Sequence, residues 1–367
     1  MAFGKKKSKY YSLDRIDATG ATYRMVIGQR SNGKTYAGFL KAVKAYAKDK
    51  TQTALIRRWR EDFIGKRGSV MFDALVANNE ISKATNGEWT GVKYYSSKWF
   101  FTRQEGDKII VDEDPFCYAF SLSEMEHDKS TSYPNVKLII FDEFLSRLAY
   151  IPDEFVIFCN VISTIIRGRT DVVIYMFGNT VNKYCPYFSE MGLNHVKQQQ
   201  PDSVDVYTYG DSQLTVAVEY APEMQKEKNN NDYFFAFDNP KLKMITSGAW
   251  EIDIYPHLPM KYKPKNIIFT YFIEFSGDLL QCEIIRKDDV MFTFIHRKTT
   301  PLQDETKDII YTTRTEPRFN IRRNLLKPVD GLDKKIAAFF AGYKVFYQNN
   351  EVGEIMRNYL LWCKNKA

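Results

Sequence analysis

Histidine is scarce, with only His127, His195, His257 and His296 in 367 residues, so imidazole-based metal chemistry has little to work with. Cysteine is limited to Cys117, Cys159, Cys185, Cys282 and Cys363. The count is odd and no two stand as C-x-x-C, so neither a disulfide framework nor a zinc site is expected. Free thiols in a reducing cytoplasm fit that usage. No apolar run reaches the roughly 18 residues of a membrane span. The basic start MAFGKKKSKYY has no apolar stretch behind it, so it is not a signal peptide, and a soluble intracellular protein is expected. There is no internal repeat, no long low-complexity stretch and no N-K-x-D for reading guanine.

Charge of either sign is not dominant. Lys and Arg number 52 against 45 Asp and Glu, a net +7, which permits a polyanionic partner without requiring one. The Lys5, Lys6, Lys7, Lys9 cluster reads as a solvated tail over 1–20. Aromatics are plentiful, with 24 Tyr and 26 Phe among 44% hydrophobic residues, enough to fill real cores. A chain of 367 residues predicts two domains at about 100–200 residues each.

Over 21–200, strand and helix patterns alternate. Tyr23–Gly28, Thr53–Arg57, Phe116–Leu122, Lys137–Phe141 and Val172–Phe177 read as strands, and Tyr36–Lys48, Glu61–Val76 and Glu154–Ile166 as helices. Val92–Thr102 and Lys108–Val111 read as an edge hairpin. Apolar strands separated by helices imply an α/β domain, with a mainly parallel sheet covered on both faces. Residues 201–240 read as a polar linker region. Over 241–367 the strands come close together, at Met244–Ile254, Ile267–Phe275, Leu279–Arg286, Val290–His296 and Ile309–Thr313. Helices follow at Asp333–Tyr347 and Glu351–Lys364, which predicts a smaller α+β domain.

The segment GQRSNGKT at 28–35 carries the argument. It matches G-x-x-x-x-G-K-[ST] with a strand before it and a helix after it. Gly28, Gln29, Arg30, Ser31, Asn32 and Gly33 would curl their backbone N–H groups around phosphates at a helix N-terminus. Lys34 would reach the β- and γ-phosphates, and Thr35 would ligate Mg²⁺. The second piece is LIIFDEF at 138–144, a buried strand ending in two carboxylates. Asp142 is placed to hold Mg²⁺ through water, and Glu143 to orient and deprotonate an attacking water. Asn179, after the Val172–Phe177 strand, is the candidate for contacting both γ-phosphate and water, although an Asn there can equally cap a turn. Arg167, with Arg169 beside it, either projects as an arginine finger or neutralises a helix C-terminus. Together these predict a P-loop ATPase of the ASCE type that binds ATP and Mg²⁺.

These segments, with VIGQRSNGKTY at 26–36, LIRRW at 55–59, KSTSYPNVKLIIFDEF at 129–144, the stretch from Tyr150 to Arg169 and GNTVNKYCPYF at 178–188, resemble the DNA packaging ATPases of phi29-type tailed phages, relatives of terminase large subunits. The likeness covers most of 20–190 and returns weakly in FFAGYKVFYQNNEVGEIMRNYL. It implies a homo-oligomeric, pentameric ring docked on a prohead portal, with or without a packaging RNA, driving double-stranded DNA inward. It implies a protein of the host cytoplasm that docks transiently on the procapsid and is absent from the mature virion. By the same resemblance Arg167 and Lys129 are trans-acting, Arg57 and Arg58 lie near the nucleotide lid with Arg58 binding nucleotide, and Arg60 faces the DNA. The second domain is then RNase H-like and without nuclease activity. Its acidic candidates Asp253, Glu274, Asp278 and Asp288 form no evident cluster, and its basic strip Arg314, Arg318, Arg322, Arg323 and Lys327 is available to the portal, DNA or an RNA. A single-strand helicase or remodelling ATPase and a non-motor regulatory NTPase remain the alternative readings.

Overall fold

Runs such as MVIG at 25–28 and LIIF at 138–141 have no polar face to offer water, so they must be covered on both sides. The computed structural model describes residues 11–124, 131–148, 150–222 and 250–365, and both runs are buried in it. It divides into two units, Met1–Trp250 and Glu251–Ala367.

The sheet of the first unit contains β1 (Tyr23–Gly28), β2 (Gln52–Arg57), β3 (Gly91–Tyr95), β4 (Lys98–Glu105), β5 (Lys108–Val111), β6 (Cys117–Ser121), β7 (Val136–Asp142), β8 (Val173–Asn179), β9 (Ser203–Tyr209) and β10 (Leu214–Tyr220). Their order is β3-β4-β6-β2-β7-β8-β1-β10-β9, with β5 paired to β4. The run from β6 through β2, β7, β8 and β1 to β10 is parallel. The other strands are antiparallel additions at the edges. Thus β8 lies between β1 and β7, and the ends of all three meet at one edge.

Helices cover both faces. Helix α1 is Asp14–Asp17 and α2 is Lys34–Asp49. On α2, Phe39, Ala42, Val43 and Tyr46 recur at helical spacing and join Val26, Leu55, Ile140 and Phe177 in one core. The approach is close at Gly38, where an added Cβ would lie 2.3 Å from Phe177. Short helices α3 (Lys66–Ser69), α4 (Asp73–Ala77) and α5 (Glu80–Ala84) follow β2. Helix α6 (Glu154–Ile166) lays Phe158, Val161, Ile162 and Ile165 on the opposite face, against Met25, Ile27, Ile139 and Phe141. Helix α7 is Pro186–Glu190.

Several expectations change. The flexible tail over 1–20 is contradicted from residue 11 onward, because Tyr11, Leu13 and Ile16 are core residues. The linker over 201–240 is corrected over 203–220, where β9 and β10 belong to the first sheet, and 223–240 lie outside the described residues. Glu61–Val76 is not one helix but a 3₁₀ turn and short helical pieces. Val92–Thr102 is two strands, reversing at Ser96–Ser97, both at positive φ. Of the strand expected at Met244–Ile254, residues 244–249 lie outside the described residues, and 250–254 form no strand.

The second unit has β11 (Ile267–Phe275), β12 (Asp278–Lys287), β13 (Val290–Arg297), β14 (Ile310–Thr312), β15 (Ile321–Arg322) and β16 (Val345–Tyr347), in the order β15-β14-β11-β12-β13-β16. Strands β11, β12 and β13 pair antiparallel. Strands β14, β15 and β16 add in parallel. Helices α8 (Gly331–Ala341) and α9 (Asn350–Asn365) follow. The helix expected over Asp333–Tyr347 stops at Ala341, and Val345–Tyr347 pairs with β13 instead. Among the described residues no helix is long and apolar enough to cross a membrane.

Candidate nucleotide site

The loop 28–35 closes between β1 and α2. Ser31 and Gly33 adopt φ of 59° and 94°, the left-handed turns that curl a short loop and aim successive N–H groups into its concavity. Inside it Lys34 Nζ donates to the carbonyls of Gly28 and Gln29 at 3.4 and 2.7 Å, and to Asn32 Oδ1 at 3.1 Å. Burial pulls its pKa down to about 8, against the charge of Asp142. A cation held among carbonyls at low solvent exposure is suited to an anionic ligand, because its charge is poorly screened. Asn32 Nδ2 is buried with no hydrogen-bond partner among the described residues.

The acidic pair sits alongside. Thr35 Oγ1 donates to Asp142 Oδ1 at 2.9 Å. A hydroxyl and a carboxylate are hard oxygen donors, the set Mg²⁺ prefers. Burial raises the Asp142 pKa, against Arg57 and the Thr35 hydroxyl. Successive strand side chains normally point to opposite faces, but Glu143 has φ 59°, which breaks the alternation. As a result one guanidinium serves both acids. Arg57 Nη2 lies 2.6 Å from Asp142 and Nη1 2.7 Å from Glu143. The Glu143 side chain remains 62% exposed, so water reaches it. Asn179, in register with Gly28, accepts from Lys34 Nζ at 3.3 Å. Its neighbour Gly178 has no room for a Cβ, which would stand 2.8 Å from Phe144 and Leu145.

The other expected residues make different contacts. Arg58, expected to bind nucleotide, is buried, with Nη1 donating to the Glu143 carbonyl at 3.3 Å. It holds Glu154 through Nε at 2.8 Å and Nη2 at 2.9 Å, donates to the Phe144 carbonyl and stacks on Tyr150. Sequence reasoning weighted Arg58, whereas Arg57 is the arginine at the acidic pair. Arg60 is exposed and paired with Glu124 at 2.5 Å. Arg30 is exposed on the loop. Arg167 ends α6 at φ 46° and donates to the Thr131 carbonyl at 3.0 Å. It stands at the edge of the sheet where β7 begins, opposite the edge holding Asp142. Lys129 lies outside the described residues.

In the second unit, Glu274 is tied to Arg314 at 2.5 Å and Asp278 to Arg297. Asp253 stands 4.0 Å from Arg357, and Asp288 occupies the β12–β13 turn. Among the described residues no group of three or more His, Cys, Asp or Glu gathers to hold a metal. Within the basic strip, Arg318 pairs with Glu316 and Arg322 with Asp330 and Asp333. Arg323 lies over Trp362.

Residues 5–234 match the family described as Podovirus DNA encapsidation protein (Gp16), and that match spans more than half of the chain. The chain belongs to this family. Similar proteins include the DNA packaging proteins of Bacillus phages PZA and phi29, each 27% identical over 187 residues, half of this chain and half of theirs. That of Bacillus phage B103 is 28% identical over 208 residues, 53% of this chain and 57% of its own. The chain thus spans about half the length of the curated relatives it matches. Among solved structures, the phi-29 viral genome packaging motor assembly superposes with a TM-score of 0.55 at 20% identity, covering 98% of this chain and all of that one. The Phi-28 gp11 DNA packaging motor gives 0.54 at 18%, covering 97% and 98%. At those identities the likeness speaks to the fold.

Proposed function

We propose that this Gp16-family chain is an ATP hydrolase that drives double-stranded viral DNA into a procapsid as part of an oligomeric ring. The observation that carries this is the convergence of Lys34, Thr35, Asp142, Glu143 and Asn179 at the ends of three adjacent strands. The position of β8 between β1 and β7 supports an ASCE-type P-loop domain.

In this reading the loop's N–H groups and Lys34 hold the phosphates, with Lys34 exchanging its carbonyl partners for phosphate oxygens. Thr35 and Asp142 would hold Mg²⁺, which when bound neutralises charge on the phosphates. Glu143 orients the attacking water and takes its proton. For that it must leave Arg57. Asn179, bonded to Lys34, links the phosphate loop to β8 and registers the change at the γ-phosphate. Arg167 stands at the far end of seven-residue strands, on the order of 20 Å long at about 3.3 Å per residue. It therefore has no route to its own chain's site, which supports a role completing a neighbour's. Arg60 is the candidate for DNA, by phosphate contact and hence salt-sensitive.

We read the second unit as RNase H-like and turned to binding rather than cutting. The order β13-β12-β11-β14-β15, with β12 reversed, supports that. So does the pairing of Glu274 and Asp278 with arginines. Its partners would be the portal or prohead, with or without a packaging RNA, in a pentameric ring assembled in the host cytoplasm.

The decisive measurement is ATP hydrolysis with and without duplex DNA and purified proheads. Stimulation by both is expected, and stimulation by single strands alone would sink the packaging reading. For the ring, mixing inactive Arg167→Ala and Glu143→Gln subunits should restore part of the activity.

A further inference from the structure

The segment before β1 touches every element that builds the phosphate loop. Leu13 and Ile16 pack into the core with Val26 and Phe39. Asp17 binds Arg24 of β1 at 2.6 Å, Lys41 of α2 at 2.5 Å and Tyr175 of β8 at 2.5 Å. Arg15 holds Asp202 ahead of β9 at 2.5 Å. Tyr11 reaches the loop itself, where its main-chain N–H donates to the Asn32 carbonyl at 3.0 Å.

That last bond has a geometric consequence. The peptide joining Asn32 and Gly33 is trans, as is every peptide among the described residues. Its C=O and N–H therefore point in opposite directions. Fixing the Asn32 carbonyl outward on Tyr11 fixes the Gly33 N–H inward, toward the concavity where a phosphate would bind. The left-handed Gly33 makes such fixing necessary, because glycine alone does not hold one orientation. Tyr11 is in turn held by its own side chain. Its hydroxyl donates to Glu219 Oε2 at 2.6 Å, and Glu219 is 1% exposed. Glu219 lies on β10 in register with Val26, two residues before the loop. The Ala221 N–H donates to the Ile27 carbonyl at 2.8 Å, so β10 backs the loop from behind.

We infer that residues 11–17 form a strap that presets the phosphate loop, with Tyr11 a positioning residue locked by Glu219. The inference rests on the nucleotide reading of loop 28–35 and adds to it a determinant outside the motif. A nucleoside triphosphate meets a loop whose Gly33 N–H is already aimed, so it does not have to order that peptide on binding.

The test compares Tyr11→Phe with wild type in the full chain. Tyr11→Phe keeps the ring and removes the lock. Amide exchange at Asn32, Gly33 and Lys34 without nucleotide should quicken several-fold. Mg-ATP affinity should fall about three- to tenfold, the scale of one net hydrogen bond, while kcat stays within twofold. Should the buried Glu219 carboxylate, left without its donor, prevent folding, Tyr11→Phe with Glu219→Leu removes both partners and should show the same weakened binding. Glu219→Gln, which keeps an acceptor, should bind close to wild type. Unchanged loop exchange in a folded variant overturns the strap, as does lowered kcat with unchanged affinity. If wild-type protein ignores Mg-ATP, the nucleotide reading fails by itself, and the exchange arm still decides the strap.

Discussion

Thr35 and Asp142 stand 107 residues apart in the chain, yet the hydroxyl of one donates to the carboxylate of the other at 2.9 Å. Thr35 lies in the first turn of a helix and Asp142 ends a strand, and β8 holds the distance between β1 and β7 that lets them meet. Glu143 follows on the same edge, its side chain open to water. Glu143→Gln keeps the shape and the contact with Arg57 but removes the base. Hydrolysis should fall about 10²–10⁴-fold, the usual worth of a positioned base, while Mg-ATP binding is retained. Filter binding beside steady-state hydrolysis checks both halves. A fully active variant would rule out the assigned role.

Arg57 bridges two acids with different needs. The Asp142 side chain is 3% exposed, so removing its partner leaves a buried charge. Arg57→Ala should lower unfolding free energy by about 3 kcal/mol. Arg57→Lys keeps one charge but not the two-pronged grip, and the buried Asp142 should retain it. Glu143 is then released, and basal DNA-independent hydrolysis should rise about two- to fivefold, the scale of a partly exposed ion pair. Thermal melting and hydrolysis on both variants separate the effects. Slower hydrolysis in the lysine variant would mean that Arg57 orients Glu143 rather than restrains it.

What the sequence disclosed follows from the length of its signals. Helix α6 and strands β1 and β11 stand at their expected limits because each is a strong apolar run with clear ends. The loop 28–35 was legible as a turn between a strand and a helix because glycines at 28 and 33 punctuate the pattern where the strand ends and the helix begins. Strands β9 and β10 were missed because their surroundings are polar, although the LTVAVEY of β10 carries a β-branched run that would have flagged it. Arg57 and Arg58 were not separable in advance. Neighbours leaving a strand diverge, and only the register of β2 beside β7 determines which one meets the acids. Glu143 depends on a left-handed backbone that no composition rule foretells. The strap at 11–17 was hidden because its basic neighbours in sequence made it look like a solvated tail.

Arg58 and Glu154 form a buried pair, 7% and 0% exposed at their side chains, with Tyr187 Oη and the Ile151 N–H also donating to Glu154. Arg58→Ala should cost about 3–5 kcal/mol by stranding that carboxylate. Nucleotide affinity of the molecules that remain folded should not move, because the guanidinium bonds Glu154 and the Glu143 and Phe144 carbonyls, none of them in the loop. Arg58→Met with Glu154→Leu should recover part of the loss. Denaturant unfolding and nucleotide titration on the same samples check this. Weakened binding in the stable double variant would return Arg58 to the nucleotide site.

His296 on β13 faces Glu283 of β12 at 3.4 Å. Tyr262 and Gln281 also donate to that carboxylate, at 2.6 and 2.7 Å. The hydrogen bond to Glu283 raises the His296 pKa above its ordinary 6.5, against burial. The Glu283 pKa is lowered despite burial by its bonds to His296, Tyr262 and Gln281. The signs are opposite for the two groups. A raised histidine contributes stability that is full below about 6.5 and is lost as pH climbs through the folded value. A lowered carboxylate contributes stability that is full above its ordinary 4.5 and is lost as pH falls through the folded value. Between those limits the pair is charged and at its strongest. With four histidines in the chain, ring proton resonances can be assigned by single substitutions. The His296 resonance should titrate above 6.5, and Glu283→Gln should bring it down toward or below that value. A His296 midpoint below 6.5 in the wild type would show that burial, not Glu283, governs the ring.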